Sequence, residues 1–253
     1  MISKRILLAA ALGFTLVCCL GDSARAGQTN VAVAANFTEA AKEIAAAFKQ
    51  KTGHEAVLSF GSSGQFFTQI KQDAPFEVFL SADDERPKKL AAEGLGVTES
   101  VFTYAVGKLV LWSKDATLAK DESALKAGRF AKLAIANPKA APYGAAAVEI
   151  LKALEVYDAL EPKIVQGNNI SQTFQFVDSG NAELGFVALS QLAGKSEGSR
   201  WLVPQNLYTP IKQDAVLLKK GEKNGAASAF IAFLKGPEAR SIIEKFGYGF
   251  SGT

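Results

Sequence analysis

The fold is decided in Val31-Ala32-Val33-Ala34-Ala35-Asn36-Phe37-Thr38 and the residues that follow it. Val31–Ala34 reads as a short apolar strand. After Asn36, the residues Phe37, Ala40, Ala41, Ile44 and Phe48 recur at helical spacing as far as Lys51, and Thr52-Gly53 stops the helix. A strand that turns into an amphipathic helix within two residues is the opening of a βα unit.

Working outward, the same alternation recurs. Ala56–Phe60 predicts a strand, Ser63–Lys71 a helix, Val78–Ser81 a strand and Arg86–Glu93 a helix ending at Gly94. Phe102–Val106 and Leu109–Trp112 read as strands interrupted at Gly107. Downstream come the strand Leu133–Ala136, the helix Gly144–Leu154, the strand Lys163–Gln166, the helix Ser171–Ser179 and the strand Leu184–Val187. A late strand, Ala215–Leu218, precedes two closing helices, Ala226–Leu234 and Pro237–Phe246. This order predicts an α/β protein with parallel or mixed sheets covered by helices. One doubly wound sheet and two smaller lobes both fit the length.

The N-terminus reads differently. Lys4 and Arg5 precede the apolar run Ile6–Leu20, Gly21-Asp22-Ser23 breaks it, and Ala24-Arg25-Ala26 fits a small-x-small cleavage site. Residues 1–26 are therefore read as a secretory signal peptide cut before Gly27. Leu16-Val17-Cys18-Cys19 loosely resembles a lipoprotein box, which makes lipidation at Cys19 the alternative. The whole chain of 253 residues carries 28 Lys+Arg against 25 Asp+Glu, a formal charge of +3. Cleavage removes three basic residues and one acidic one, leaving 25 against 24. It also removes Cys18, Cys19 and Met1, the chain's only sulfur-bearing side chains. Disulfides, soft-metal ligation and a cysteine nucleophile are thereby excluded from the mature chain. The single histidine, His54, cannot build a poly-histidine metal site, and the near-neutral charge argues against nucleic acid as a partner. An exported chain without disulfides points to the periplasm.

The candidate chemistry lies where strands turn into helices. Such junctions offer unpaired N–H groups and the positive end of a helix dipole, which suit an anion. Four stand out: Ala34-Ala35-Asn36-Phe37-Thr38, Phe60-Gly61-Ser62-Ser63-Gly64-Gln65, Ala141-Pro142-Tyr143-Gly144 and Gly167-Asn168-Asn169-Ile170-Ser171. Asn36 is expected to cap its helix and donate outward through its amide. The glycines at 61 and 64 make neither a dinucleotide fingerprint nor a P-loop, and Gly61-Ser62-Ser63-Gly64 is not a nucleophile elbow. No Lys or Arg lies within these four segments.

Taken in order, the first two junctions with Val78-Phe79-Leu80-Ser81-Ala82-Asp83, Ala141-Pro142-Tyr143-Gly144, Gly185-Phe186-Val187-Ala188 and Leu234-Lys235-Gly236-Pro237-Glu238-Ala239 resemble the periplasmic molybdate-binding proteins of ABC importers. The resemblance covers residues 29–250. It implies a type II periplasmic binding protein with two α/β lobes, each a mixed sheet flanked by helices, and the ligand in the cleft between them. Lobe I would be 27–106 plus 205–253, and lobe II 107–204. The ligand implied is molybdate, with tungstate as a second oxyanion, held through its oxygens by neutral donors at helix starts. By position, the donors implied are Ala35, Asn36, Ser63, Tyr143 and Ile170, with Ile170 acting through its backbone. One departure is Ala188, where some members carry a donating tyrosine. The hydroxyl of Tyr143 is the expected replacement. The partners implied are an ABC permease and its cytoplasmic ATPase; the receptor itself is expected to be a monomer with no cofactor and no catalytic residues.

The alternatives are a receptor for another tetrahedral oxyanion such as sulfate, and a secreted hydrolase. A hydrolase needs a base beside its nucleophile, and His54 lies outside every junction. An iron carrier would be expected to pair tyrosines, and the five here are scattered along the chain. Asp83-Asp84-Glu85 reads as helix capping, the Lys219, Lys220 and Lys223 patch as a solvated face, and Phe66, Phe67, Phe174 and Phe176 as packing. Trp112 and Trp201 are expected near the hinge, around Tyr104–Val110 and Tyr208–Ala215.

Overall fold

The computed structural model describes residues 26–250. The leader reading and the lipid alternative at Cys19 lie outside the described residues. In chain order the strands are β1 (Gln28–Ala34), β2 (Glu55–Gly61), β3 (Val78–Leu80), β4 (Phe102–Gly107), β5 (Leu109–Ser113), β6 (Leu133–Ala136), β7 (Ile164–Gly167), β8 (Leu184–Ala188), β9 (Ser199–Leu202) and β10 (Ile211–Leu217). The helices are α1 (Thr38–Thr52), α2 (Ser63–Lys71), α3 (Glu85–Ala92), α4 (Ser123–Ala127), α5 (Pro142–Ala153), α6 (Tyr157–Leu160), α7 (Ile170–Asp178), α8 (Gly225–Leu234) and α9 (Pro237–Lys245).

These strands build two five-stranded sheets, ordered β2-β1-β3-β10-β4 and β7-β6-β8-β5-β9. Each has three parallel strands and then an antiparallel one, β10 in the first and β5 in the second. The order is the same in both because each sheet receives its antiparallel strand from a crossover. The chain leaves the first sheet through Gly107-Lys108-Leu109, between β4 and β5, and returns between β9 and β10. Of the two layouts open to the sequence, the two-lobed one is found.

Alternation along the strands explains the layers. In β1, Val31 and Val33 face a core with Phe37, Ile44, Phe48 and Phe230, so α1, α8 and α9 cover one side. Ala32 between them faces Phe66, Ile70 and Leu90, so α2 and α3 cover the other. The second sheet repeats this. Leu109, Leu111 and Phe186 pack beneath α5, while Val110, Trp112 and Val187 pack beneath α7.

Four elements differ from the sequence expectation. β10 begins at Ile211 rather than Ala215, because the polar run Lys212-Gln213-Asp214 is a strand: it pairs with β4 through a bulge between Gln213 and Asp214. β9 and the short helices α4 and α6 carry too few apolar residues to announce themselves. Trp112 is buried and stacked on Phe174, with ring centroids 5.0 Å apart, inside the second lobe rather than at a crossover.

Candidate functional site

Register brings the junctions together. Ala34 pairs with Gly61 at the ends of β1 and β2, and Ala136 pairs with Gly167 at the ends of β6 and β7. Within each lobe the two helix starts are therefore level. Across the cleft the lobes touch directly: the Gly64 N–H donates to the Ala140 carbonyl at 2.9 Å, and Ser190 Oγ donates to the Asn36 carbonyl at 2.8 Å. Between them lies a narrow, tightly closed cavity. Its walls are Ala34, Ala35 and Asn36 from the first junction, Gly61, Ser62 and Ser63 from the second, Ala141, Pro142 and Tyr143 from the third, Asn169 and Ile170 from the fourth, and Ala82. All five sequence-predicted residues line this one cavity. Among the described residues, no acidic or basic side chain lines it.

Each junction presents its donors for a local reason. Ser62 is the cap of α2: its hydroxyl accepts from the Gln65 N–H at 3.4 Å, and its own N–H donates to Gln65 Oε1 at 3.3 Å. That frees Ser63, the first helical residue. Its Oγ accepts from the Ala82 N–H at 2.9 Å, so its single proton remains for an acceptor in the cavity. Asn169 caps α7 by accepting from the Gln172 N–H at 3.0 Å, which leaves Ile170 at the helix start with its N–H unpaired by the helix. In α5, Pro142 takes the first position and has no N–H to lose, so Tyr143 carries the first amide. A one-turn 3₁₀ helix, Ala35–Phe37, follows β1 directly and presents its first amides in the same way.

One side chain does not do what the sequence suggested, and a second gains a partner the sequence did not show. The Asn36 amide was expected to donate outward. Instead Nδ2 donates to Gln213 Oε1 at 2.9 Å and to the Tyr248 hydroxyl at 3.1 Å, and the side chain does not cap α1. Asn36 therefore meets the cavity with its backbone. The Tyr143 hydroxyl was expected to replace the donor missing at Ala188. It accepts from Gln213 Nε2 at 3.1 Å and lies so close to Gly107 that a Cβ there would sit 2.1 Å from the oxygen. Ala188 does not line the cavity. Burial raises the Tyr104, Tyr143 and Tyr248 hydroxyls above their ordinary pKa, so all three stay protonated.

Sequence reasoning missed the layer behind the cavity. Tyr104, Tyr143 and Tyr248, far apart in the chain, converge on Asn36 and Gln213. The Tyr104 hydroxyl lies 3.1 Å from Gln213 Oε1 and 3.0 Å from the Ser81 carbonyl. Tyr248 donates to the Asn36 carbonyl at 2.7 Å and lies 2.9 Å from Ser190 Oγ. Phe37 meets the edges of both the Tyr104 and Tyr248 rings and holds them in place.

The other candidates find structural partners. His54 Nδ1 accepts from the Gly27 N–H at 2.9 Å, tying down the start of β1. Asp83 accepts from the Arg86 N–H and pairs with its guanidinium. Among the described residues no three His, Cys, Asp or Glu side chains gather as a metal site. Lys219 and Lys220 pair with Glu222 and Asp73 at the surface.

A fold of two like-ordered mixed sheets, joined by two crossovers and meeting at a donor-lined cavity, defines a two-lobed solute-binding protein. A family model described as bacterial extracellular solute-binding protein matches residues 29–249, and the chain belongs to that family. It is 58% identical to the molybdate-binding protein ModA of Rhodobacter capsulatus over 242 residues, 96% of each chain. It is 54% identical to the ModA of Azotobacter vinelandii, again over 96% of each. The solved structure of the Azotobacter vinelandii periplasmic molybdate-binding protein superposes with a TM-score of 0.85 at 40% identity, covering 88% of this chain and 99% of that one.

Proposed function

We propose that the chain is a periplasmic receptor that captures molybdate between its lobes and delivers it to an ABC permease driven by a cytoplasmic ATPase. The observation that carries this reading is the cavity itself, where four helix starts converge and no charged side chain is present. A tetrahedral dianion has four acceptor oxygens and no donor. Ser63 Oγ and the backbone N–H groups of Ala35, Asn36, Ser63, Tyr143 and Ile170 are the donors assigned to it. The helix dipoles supply partial positive charge without a fixed cation. A protonated anion is rejected because its O–H would face donors only. Size then separates molybdate and tungstate from sulfate.

The same reading places lobe I at 27–106 plus 205–253 and lobe II at 107–204, in a monomer exported by a signal peptide cut before Gly27. Contacts from both lobes make the ligand favour the closed form, because its affinity for that form is higher. A hydrolase gains no support from the geometry: the Ser63 hydroxyl is paired with a backbone N–H and no acidic or histidine side chain lines the cavity. The test is a calorimetric competition. Molybdate is expected to bind and to resist displacement by excess sulfate; sulfate displacing it at equal concentration would overturn the assignment.

A further inference from the structure

One buried side chain outside the cavity holds both lobes at once. Gln213 is fully buried on β10, the strand that returns from the second crossover, and stands at the bulge that re-aims β10 against β4. Its Oε1 takes the Asn36 amide at 2.9 Å and lies 3.1 Å from the Tyr104 hydroxyl, both in the first lobe. Its Nε2 donates to the Tyr143 hydroxyl, which arrives from α5 in the second lobe, at 3.1 Å. Asn36 and Tyr143 are cavity-lining residues from opposite lobes. Gly107, where the chain first crosses between the lobes, passes under the same contact: a Cβ there would lie 2.1 Å from the Tyr143 hydroxyl and 2.6 Å from Gln213 Nε2.

We infer that Gln213 is a positioning residue for ligand capture, an uncharged latch at the crossover that sets the distance between the first and third helix starts and holds the lobes together. It touches no ligand. Its contribution is to the population of the closed form, so losing the latch weakens apparent affinity by the fraction of competent protein lost. The chemistry suits a site for a dianion. A charged latch this close to the cavity would add its own field, whereas a primary amide offers an acceptor to one lobe and a donor to the other without net charge. The inference rests on the cavity being the ligand site, as proposed above.

The test is a double-mutant cycle with Gln213→Met, which keeps the volume but removes both polar ends, and Tyr143→Phe, which removes only the partner oxygen. Molybdate affinity is read by calorimetry and the radius of the ligand-free protein by small-angle scattering. Tyr143→Phe is expected to bind roughly 5- to 10-fold more weakly, the worth of one buried neutral hydrogen bond, and Gln213→Met, which also removes the partner of the Asn36 amide and the Tyr104 hydroxyl, at least as weakly. The double variant is expected to be no weaker than Gln213→Met alone, because that change already cuts the bond between Gln213 and Tyr143. Each single variant is also expected to have a larger ligand-free radius than the parent. Affinity within twofold of the parent, or effects that multiply in the double variant, would overturn the latch. If Gln213→Met does not fold, Tyr143→Phe alone carries both readouts. If the parent itself fails to bind molybdate, the functional reading falls. The latch is then decided by scattering alone: larger radii in the variants support it, and unchanged radii overturn it.

Discussion

Adjacent serines at the start of α2 are assigned different work, and replacing each with alanine separates the two. Ser63 is buried, accepts from the Ala82 N–H at 2.9 Å and has its proton free for the cavity. A hydrogen bond to a charged acceptor is worth about 1.5–3 kcal/mol, so Ser63→Ala is expected to weaken molybdate binding roughly 10- to 150-fold. The same change leaves the buried Ala82 N–H without its partner, which costs the folded protein about 1–3 kcal/mol. Ser62 belongs to the capping box with Gln65. Ser62→Ala is expected to lower stability by about 0.5–2 kcal/mol while changing affinity far less than Ser63→Ala does. Calorimetric titration below the melting transition gives affinity, and urea unfolding without ligand gives stability. If Ser63→Ala binds within twofold of the parent, or if Ser62→Ala loses more affinity than Ser63→Ala, the assignment of donor and cap is wrong.

Three further outcomes follow from the same geometry. A Cβ at Gly64 would lie 2.9 Å from Ala140 Cα, backbone of the opposite lobe, so Gly64→Val is expected to fold but to lose most of the thermal stabilisation that molybdate gives the parent; retained stabilisation would show that this close approach is not needed. Among the described residues Tyr143 is the one titratable side chain along the cavity, and burial raises its hydroxyl, so affinity is expected to stay flat from pH 7 to 9; a loss within that range would mean that another group contributes. Asp214 is buried against Thr103 Oγ1 and its carboxyl is raised above its usual value, chiefly by desolvation. The folded state therefore holds that proton more tightly than the unfolded chain, and Asp214 costs stability above its raised pKa but not below its unfolded one. Asp214→Asn should raise the melting temperature at pH 7 and have less effect near pH 4, and the reverse order would refute the sign.

Much of the fold could be read in the sequence because its punctuation is strong. Apolar runs such as Val31–Ala34 and Leu133–Ala136 end at small residues, and caps or prolines start the next helix within a few positions. Those same junctions line the cavity, so the cavity was legible wherever local chemistry made it. What stayed hidden depends on distance along the chain. Gln213 lies 177 residues from Asn36 and 70 from Tyr143, and its neighbours Lys212 and Asp214 make the segment read as loop. Only the pairing of β10 with β4, bulge included, turns Gln213 into the core. The Asn36 amide illustrates the same limit. Its residue type fits a cap or an outward donor, yet the convergence of Gln213 and Tyr248 turns it inward.

Four helix starts are proposed to hold the oxyanion without a cation. Diffraction from crystals grown with molybdate, collected at the molybdenum absorption edge, tests it most directly. One anomalous peak is expected between Ser63, Tyr143 and Ile170, with oxygens within hydrogen-bond distance of their donors and no Lys or Arg among its contacts. A peak confined to the outer groove lined by Arg86, Lys89 and Lys139, with none in the cavity, would contradict it.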